Sequence, residues 1–389
     1  MVKTSPAWLA VASLSVSTFA SVTTEFLPVG LLTNIAAGLS ITAGQAGLMV
    51  TTPAVVGAFA GPLLIIAARQ LDRRIVLLSL SALLFVSNLL AALAPNLMTI
   101  LVARAMLGLC VGGFWTFAPS ATGHLVPEHL QPRAMSYILA GISVAMVAGV
   151  PAGAMIGNAF GWRAAFGASS ALAAAVLLLQ LFVLPSLPPA RAIQPRELLV
   201  PLTSPAARVG LLVALLLVAG HFAGYTYLRP MLDQIFRLSA DSAATLLLVY
   251  GAAGFLGTFI GGRLLERSVR GTSMLAALMI AAVLLLSGLA GGGVIAASVA
   301  TLVWGTAFGL VPVSMTTWML RALPESPESG QALLVTAFQV AIASGALVGG
   351  IVVDASSISG ALLLGGGLAL LSALLMGIAG GPRAAPPTK

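Results

Sequence analysis

The sequence predicts an all-α membrane protein of twelve transmembrane helices in two six-helix, pseudo-symmetric halves. Three observations predict it: a composition too apolar for water, apolar runs of about 18–25 residues, and one proline-rich break that parts those runs six and six. Hydrophobic residues make up 59% of the 389 and charged residues 7%, against about 45–50% and about 25% in soluble domains. So few charges cannot cover a soluble surface, which excludes a soluble enzyme, a secreted disulfide scaffold and a disordered chain together. The single cysteine, Cys110, has no internal partner. The net charge of +8 includes only two lysines and is no nucleic-acid footprint.

A helix crosses a hydrocarbon core with about 20 apolar residues, and the runs are too long for barrel strands. They fall at 8–32, 44–67, 75–94, 97–121, 134–157 and 163–184, then at 208–228, 243–262, 272–291, 294–318, 330–353 and 358–379. The first is too long for a signal peptide and contains Glu25. With the N-terminus inside, Lys3, Arg69, Arg73, Arg74, Arg133, Arg191, Arg196, Arg208, Arg263, Arg267, Arg270, Arg321, Arg383 and Lys389 fall on the cytoplasmic side. Only Arg163, Arg229 and Arg237 fall outside, so both termini are expected in the cytoplasm. The break at 185–207 holds Pro185, Pro188, Pro189, Pro195, Pro201 and Pro205 and reads as a semi-rigid cytoplasmic linker. It separates an N-terminal half, 1–184, from a C-terminal half, 208–389.

The halves are related in sequence. A shift of 197 residues lays Val102-Ala103 on Val299-Ala300, Gly108 on Gly305 and Gly112 on Gly309, and brings Thr24 opposite His221. Gly262, Glu266, Arg267 and Arg270, between the eighth and ninth spans, resemble the cytoplasmic G-x-x-x-D-R-x-G-R motif of the major facilitator superfamily. The first-half copy, with Asp72, Arg73 and Arg74, departs from it, because Arg69 stands where the acid is expected. Gly149-Val150-Pro151-Ala152-Gly153 and Gly157 in the fifth span resemble the Gly-Pro motif of that superfamily's antiporter branches. The segments Thr23-Thr24-Glu25-Phe26-Leu27-Pro28-Val29-Gly30 and His221-Phe222-Ala223-Gly224-Tyr225-Thr226-Tyr227 resemble bacterial sugar-efflux transporters of the drug:proton antiporter-1 group. The resemblance implies the major facilitator fold, with the substrate between two rocking halves near the midplane. It also implies export of a small organic solute, most of all a sugar, in exchange for protons. Nucleosides, drugs and uncoupled facilitation are the alternatives.

Glu25, Arg104 and His221 lie inside the spans, where each is expensive and a functional role is the default reading. Counting from the run ends puts all three about seven residues from the outer side. A carboxyl that meets Arg104 in one state and an apolar wall in another binds a proton on one side and releases it on the other. Glu25 is therefore the expected coupling acid and Arg104 its modulator, unless Arg104 clamps backbone carbonyls instead. His221 either shares the proton work and binds ligand or is a packing residue. Substrate contacts are expected from Thr24, Phe114, Trp115, His221, Tyr225, Tyr227 and Gln339. Tyr225 and Tyr227 could equally sit in an interfacial belt, and Trp8, Trp162 and Trp318 are read as belt residues. Gly149, Gly153 and Gly157 read as a close-packing face and Pro151 as a kink. No phosphate loop, metal-ligand spacing or catalytic set occurs. The expectation is thus a non-enzyme without cofactor or metal, driven by the proton gradient. It is expected to act as a monomer in lipid of a bacterial inner membrane, without nucleic acid.

Overall fold

The computed structural model describes residues 6–68, 70–188, 202–325 and 327–379. Lys3, Arg69, Arg191, Arg196, Arg383 and Lys389, counted above for orientation, lie outside them, as do Pro189, Pro195 and Pro201 of the linker. Twelve helices among the described residues are long and apolar enough to cross a membrane. They are α1 (Pro6–Leu39), α2 (Ala43–Ala67), α3 (Arg73–Ala92), α4 (Leu97–Leu125), α5, α6 (Trp162–Val183), α7 (Pro205–Tyr225), α8 (Ala240–Arg267), α9 (Val269–Leu289), α10 (Val294–Ala322), α11 (Pro327–Ala355) and α12 (Ile358–Ala379). Helix α5 runs as Gln131–Val144, a π-helical turn Ala145–Gly149, and Val150–Phe160. Pro151 explains the turn. It has no N–H to bond the carbonyl four residues back, so the helix widens there and the Val150 amide bonds Ala145.

Polar residues just outside the apolar runs start the helices. Thr42 forms a capping box with Gln45, and Asp72, Asn96, Ser204, Ser239 and Ser268 accept from first-turn amides. Most run ends therefore move outward by a few residues. The largest departure is α1, which continues past the expected end near residue 32 to Leu39. Its last turns are polar on one side, where Asn34 bonds Asn158 of α5 at 3.4 Å, and Gly38 lets Trp162 approach.

The chain divides into two compact units, Met1–Ala192 and Ile193–Lys389. In the first, α2 packs on α4, α3 on α4 and α6, and α1 on α5 and α6. In the second, α8 packs on α10, α9 on α10 and α12, and α7 on α11 and α12. Adding six to each helix number converts one pattern into the other, so the internal repeat extends to the folds of the units. The glycine matches carry it to atomic contacts. A Cβ on Gly108 or Gly112 would strike the carbonyls of Pro53 and Gly57, and one on Gly305 or Gly309 those of Tyr250 and Gly254. Both partners in each pair move by the same 197 residues.

The loop-motif residues of the first unit, Asp72, Arg73 and Arg74, tie that loop to the end of α6. Asp72 caps α3 and accepts from the Arg74 and Leu187 amides at 2.8 Å each and from the Ser186 hydroxyl. Arg73 donates to Ala68 O at 2.8 Å and lies over the Phe117 ring at 4.8 Å. Arg74 donates to Leu181 O at 2.9 Å. In the second unit Arg270 makes the matching staple to Gly377 O at 2.6 Å, whereas Gly262, Glu266 and Arg267 are exposed.

Burial alone would push the Asp72 carboxyl up, but hydrogen bonds from Ser186, Leu187 and Arg74 outweigh it and hold it below its ordinary value. A depressed acid adds stability above its unfolded value, about 3.9, and loses it as pH falls through the folded value. Protection of the Leu187 amide from hydrogen exchange is therefore expected to fall below about pH 4 in the native chain. In Asp72→Asn the same amide should be weakly protected at both pH 6 and pH 3. An identical pH response in the two proteins would refute the staple.

Candidate functional site

In the first unit one guanidinium joins three helices. Arg104, 1% exposed, donates through Nη1 to Thr24 O at 2.7 Å and through Nη2 to Glu25 O at 2.6 Å, both on α1. Through Nε it donates to Met49 O on α2 at 2.6 Å. The reason lies four residues further along each helix. Pro28 and Pro53 have no amide, so the Thr24 and Met49 carbonyls lack their usual intrahelical donors. Buried carbonyls without donors are costly in a membrane, and Arg104 supplies what the two prolines withhold. The clamp alternative for Arg104 is thus the observed geometry.

Glu25 is 6% exposed, and no hydrogen bond or ion pair reaches its carboxyl among the described residues, where the sole ion pair is Arg229 with Asp233. The Arg104 charge acts on it electrostatically without a direct contact. On neighbouring positions of α1, Asn88 donates to the Thr24 hydroxyl at 3.1 Å, and Asn88 Oδ1 and Thr23 Oγ1 are buried without hydrogen-bond partners among the described residues. Because α1 ends at Leu39, Glu25 has 14 residues of helix after it, about 21 Å, not the seven read from the apolar run. On the far side α5 presses on the same stretch of α1. A Cβ on Gly149, Gly153 or Gly157 would run into Thr23, Leu27 and Leu31 in turn, which is the expected close-packing face. The π turn of α5 therefore meets α1 at Thr23, one residue from the Thr24 that Asn88 and Arg104 hold.

The second unit holds His221 in a ring of aromatics. The imidazole is 0% exposed. Its face stacks on Phe308 with centroids 3.7 Å apart and planes 8° apart, and Tyr225 stacks at 5.0 Å. Trp304 Nε1 donates to His221 Nδ1 at 3.0 Å, and Tyr250 Oη lies 3.4 Å from Nε2. Indole is a donor only, so Nδ1 accepts and the ring proton sits on Nε2. A protonated imidazole would turn an N–H toward the indole N–H. In this arrangement the imidazole is a neutral hydrogen-bonding group.

Other expected site residues are distributed. Thr24 stands in the Arg104–Asn88 group. Phe114 is packed in the core of the first unit with Leu80 and Phe117, and Trp115 is half-buried against it. The Tyr227 hydroxyl donates to Ala346 O at 3.0 Å, pinning α11. Gln339 is buried on α11, and its amide makes no hydrogen bond among the described residues. Trp162 and Trp318 are buried, not belt residues: Trp318 donates to Ala206 O at 3.0 Å across Gly210, and Trp162 covers Gly38. Sequence reasoning missed Tyr250, Trp304 and Phe308. The visible signal was the i, i+4 spacing of Trp304 and Phe308 in the middle of α10.

Comparison with known proteins adds the family. The profile of the Major Facilitator Superfamily matches residues 14–329. The chain is 35% identical over 373 residues to the protein named purine ribonucleoside efflux pump NepI in Shigella dysenteriae serotype 1, covering 96% of this chain and 95% of that one. It is 35% identical over 373 residues to the pump of that name in Escherichia coli K12, covering 96% and 94%. Among solved structures it resembles the nucleoside transporter NupG (TM-score 0.78, 15% identity, 95% and 99% covered). It also resembles a D-xylose-proton symporter (TM-score 0.74, 18% identity, 95% and 96% covered). Identities this low speak to fold alone.

Proposed function

The chain belongs to the major facilitator superfamily and is a multi-pass membrane transporter, not an enzyme; from that premise we propose that it exports purine ribonucleosides in exchange for protons. The observation that carries the substrate is the 35% identity, along almost the whole chain, to pumps named for purine ribonucleosides. The reading adopts the nucleoside alternative in place of sugar efflux. The geometry is suited to it. Aromatic rings offer stacking to a planar base, and buried hydrogen-bonding groups suit a polar solute.

For energy coupling, Glu25 is the coupling acid. It is a buried carboxyl with no ion-pair partner among the described residues, on a helix stretch whose backbone carbonyls are held by Arg104. Arg104 fixes that stretch, so its influence on Glu25 is positional as well as electrostatic. No cofactor takes part, the proton gradient supplies the energy, and one chain in a bacterial inner membrane suffices, with both termini cytoplasmic. The six-helix halves 1–184 and 208–389 and the linker 185–207 between them are the working parts.

The test is counterflow in proteoliposomes preloaded with unlabelled inosine. Labelled inosine and guanosine are expected to accumulate transiently, and external purine nucleosides are expected to compete where L-arabinose and thiogalactosides do not. A carrier that moves only the sugars would overturn the reading.

A further inference from the structure

The second unit lacks an anion where the first unit has one. The shift of 197 residues lays Val269 on Asp72. Asp72 is the carboxylate that accepts from the Arg74 and Leu187 amides, and valine has nothing to accept with. Ser268 caps α9 instead, accepting from the Gly271 amide at 2.9 Å, and a hydroxyl brings no charge. The cations remain. Arg263, Arg267 and Arg270 are exposed around this loop, and Arg321 reaches it by donating to Leu265 O at 3.3 Å. Glu266 is the one acid between residues 263 and 270, and it makes no ion pair among the described residues. The Arg267 side chain makes no hydrogen bond or ion pair among them either. Beside it the surface holds a groove of about 160 Å³ between α8 and α9, lined by Leu264, Arg267, Ser268, Gly271, Thr272 and Leu275. Both helices are long and apolar enough to cross a membrane, so the loop that joins them lies at a membrane surface. Arg267 and Ser268 stand at that loop. Leu275, which is 43% exposed, lies six residues past the start of α9, about 9 Å further toward the hydrocarbon.

We propose that this groove binds an anionic phospholipid, whose phosphate supplies the charge that Asp72 supplies in the first unit. The phosphate meets the Arg267 guanidinium and the Ser268 hydroxyl, whose proton is free to donate because its oxygen serves the Gly271 amide. An acyl chain then follows Leu264 and Leu275 along the groove. A basic pocket between membrane-spanning helices is the usual form of a site for such a headgroup. A soluble anion would meet the same cations but gain nothing from the leucines, so the groove favours lipid over free phosphate. The proposal needs nothing from the nucleoside reading and stands or falls apart from it.

The experiment is native mass spectrometry of the purified, delipidated full-length protein, titrated with phosphatidylglycerol or with phosphatidylcholine of the same acyl chains. Phosphatidylglycerol is expected to bind saturably and more tightly than phosphatidylcholine. An arginine near a membrane surface changes anionic-lipid affinity about fivefold, so Arg267→Gln is expected to weaken phosphatidylglycerol binding by about that factor. Arg208→Gln removes the same charge from the exposed start of α7 and is expected to leave binding at the wild-type value. Glycerol phosphate at the lipid's concentration is expected not to compete. Equal weakening by the two substitutions would reduce the effect to net charge and overturn the site. Displacement by glycerol phosphate would overturn the lipid as its occupant. Melting temperatures without lipid are measured in parallel and are expected to match for wild type and Arg267→Gln. If Arg267→Gln fails to fold, the wild type decides alone: equal affinity for the two lipids would overturn the proposal.

Discussion

Glu25→Gln is expected to reduce uphill nucleoside transport to the passive baseline while leaving inosine binding and counterflow in place. The amide has the shape of the carboxyl and cannot exchange a proton. A buried acid with no hydrogen bond or ion pair among the described residues adds nothing to packing that glutamine would lose, and an ionisable group inside a membrane is costly to keep. The melting temperature should therefore hold or rise. Glu25→Asp keeps the chemistry but shortens the reach, and is expected to retain part of the coupled flux. The readout is accumulation of labelled inosine under an imposed pH gradient, beside counterflow without one. Uphill transport by Glu25→Gln at the wild-type level would remove Glu25 from the coupling.

The second large effect concerns Arg104. Arg104→Leu leaves the Thr24 and Met49 carbonyls with neither the guanidinium nor an intrahelical amide, since Pro28 and Pro53 have none. Two buried acceptors at about 1–3 kcal/mol each make a loss of about 2–6 kcal/mol, enough to lower the melting temperature and the amount of protein in the membrane sharply. Arg104→Lys keeps a charge but cannot span three carbonyls, so it should recover little. The diagnostic variant adds Pro28→Ala and Pro53→Ala to Arg104→Leu. Alanine returns an amide to each helix, and stability is expected to recover substantially even with no cation present. If the triple variant is no more stable than Arg104→Leu, the clamp account of Arg104 fails and its charge is what matters.

Much of the architecture was legible because lipid imposes a length on every helix. Helix α12 coincides with its apolar run, and helix starts moved outward where a polar N-cap such as Thr42, Asp72 or Ser268 lay before the apolar window. Helix α1 is the clearest case: Thr33 and Asn34 end the apolar run but not the helix, since Asn34 finds a partner on α5. The repeat was visible in four identities and proved to include the partners those glycines touch. The site was less legible. Pro28 and Pro53 are plain in the sequence, and each implies a carbonyl in need of a donor. That a single arginine, 80 residues from Thr24 and 55 from Met49, serves both is a property of the packed helices. The ring around His221 likewise depends on α8 and α10 arriving beside α7, which no local pattern encodes. Tyr227, adjacent in sequence to the cluster, turned out to pin α11 because the chain leaves its helix at Thr226.

The most direct measurement is proton movement on addition of inosine to proteoliposomes holding a trapped pH dye. The account predicts a proton flux opposite in direction to nucleoside movement in the wild type, and none in Glu25→Gln liposomes that still exchange inosine. Inosine that equilibrates across wild-type liposomes with no change in internal pH would contradict it.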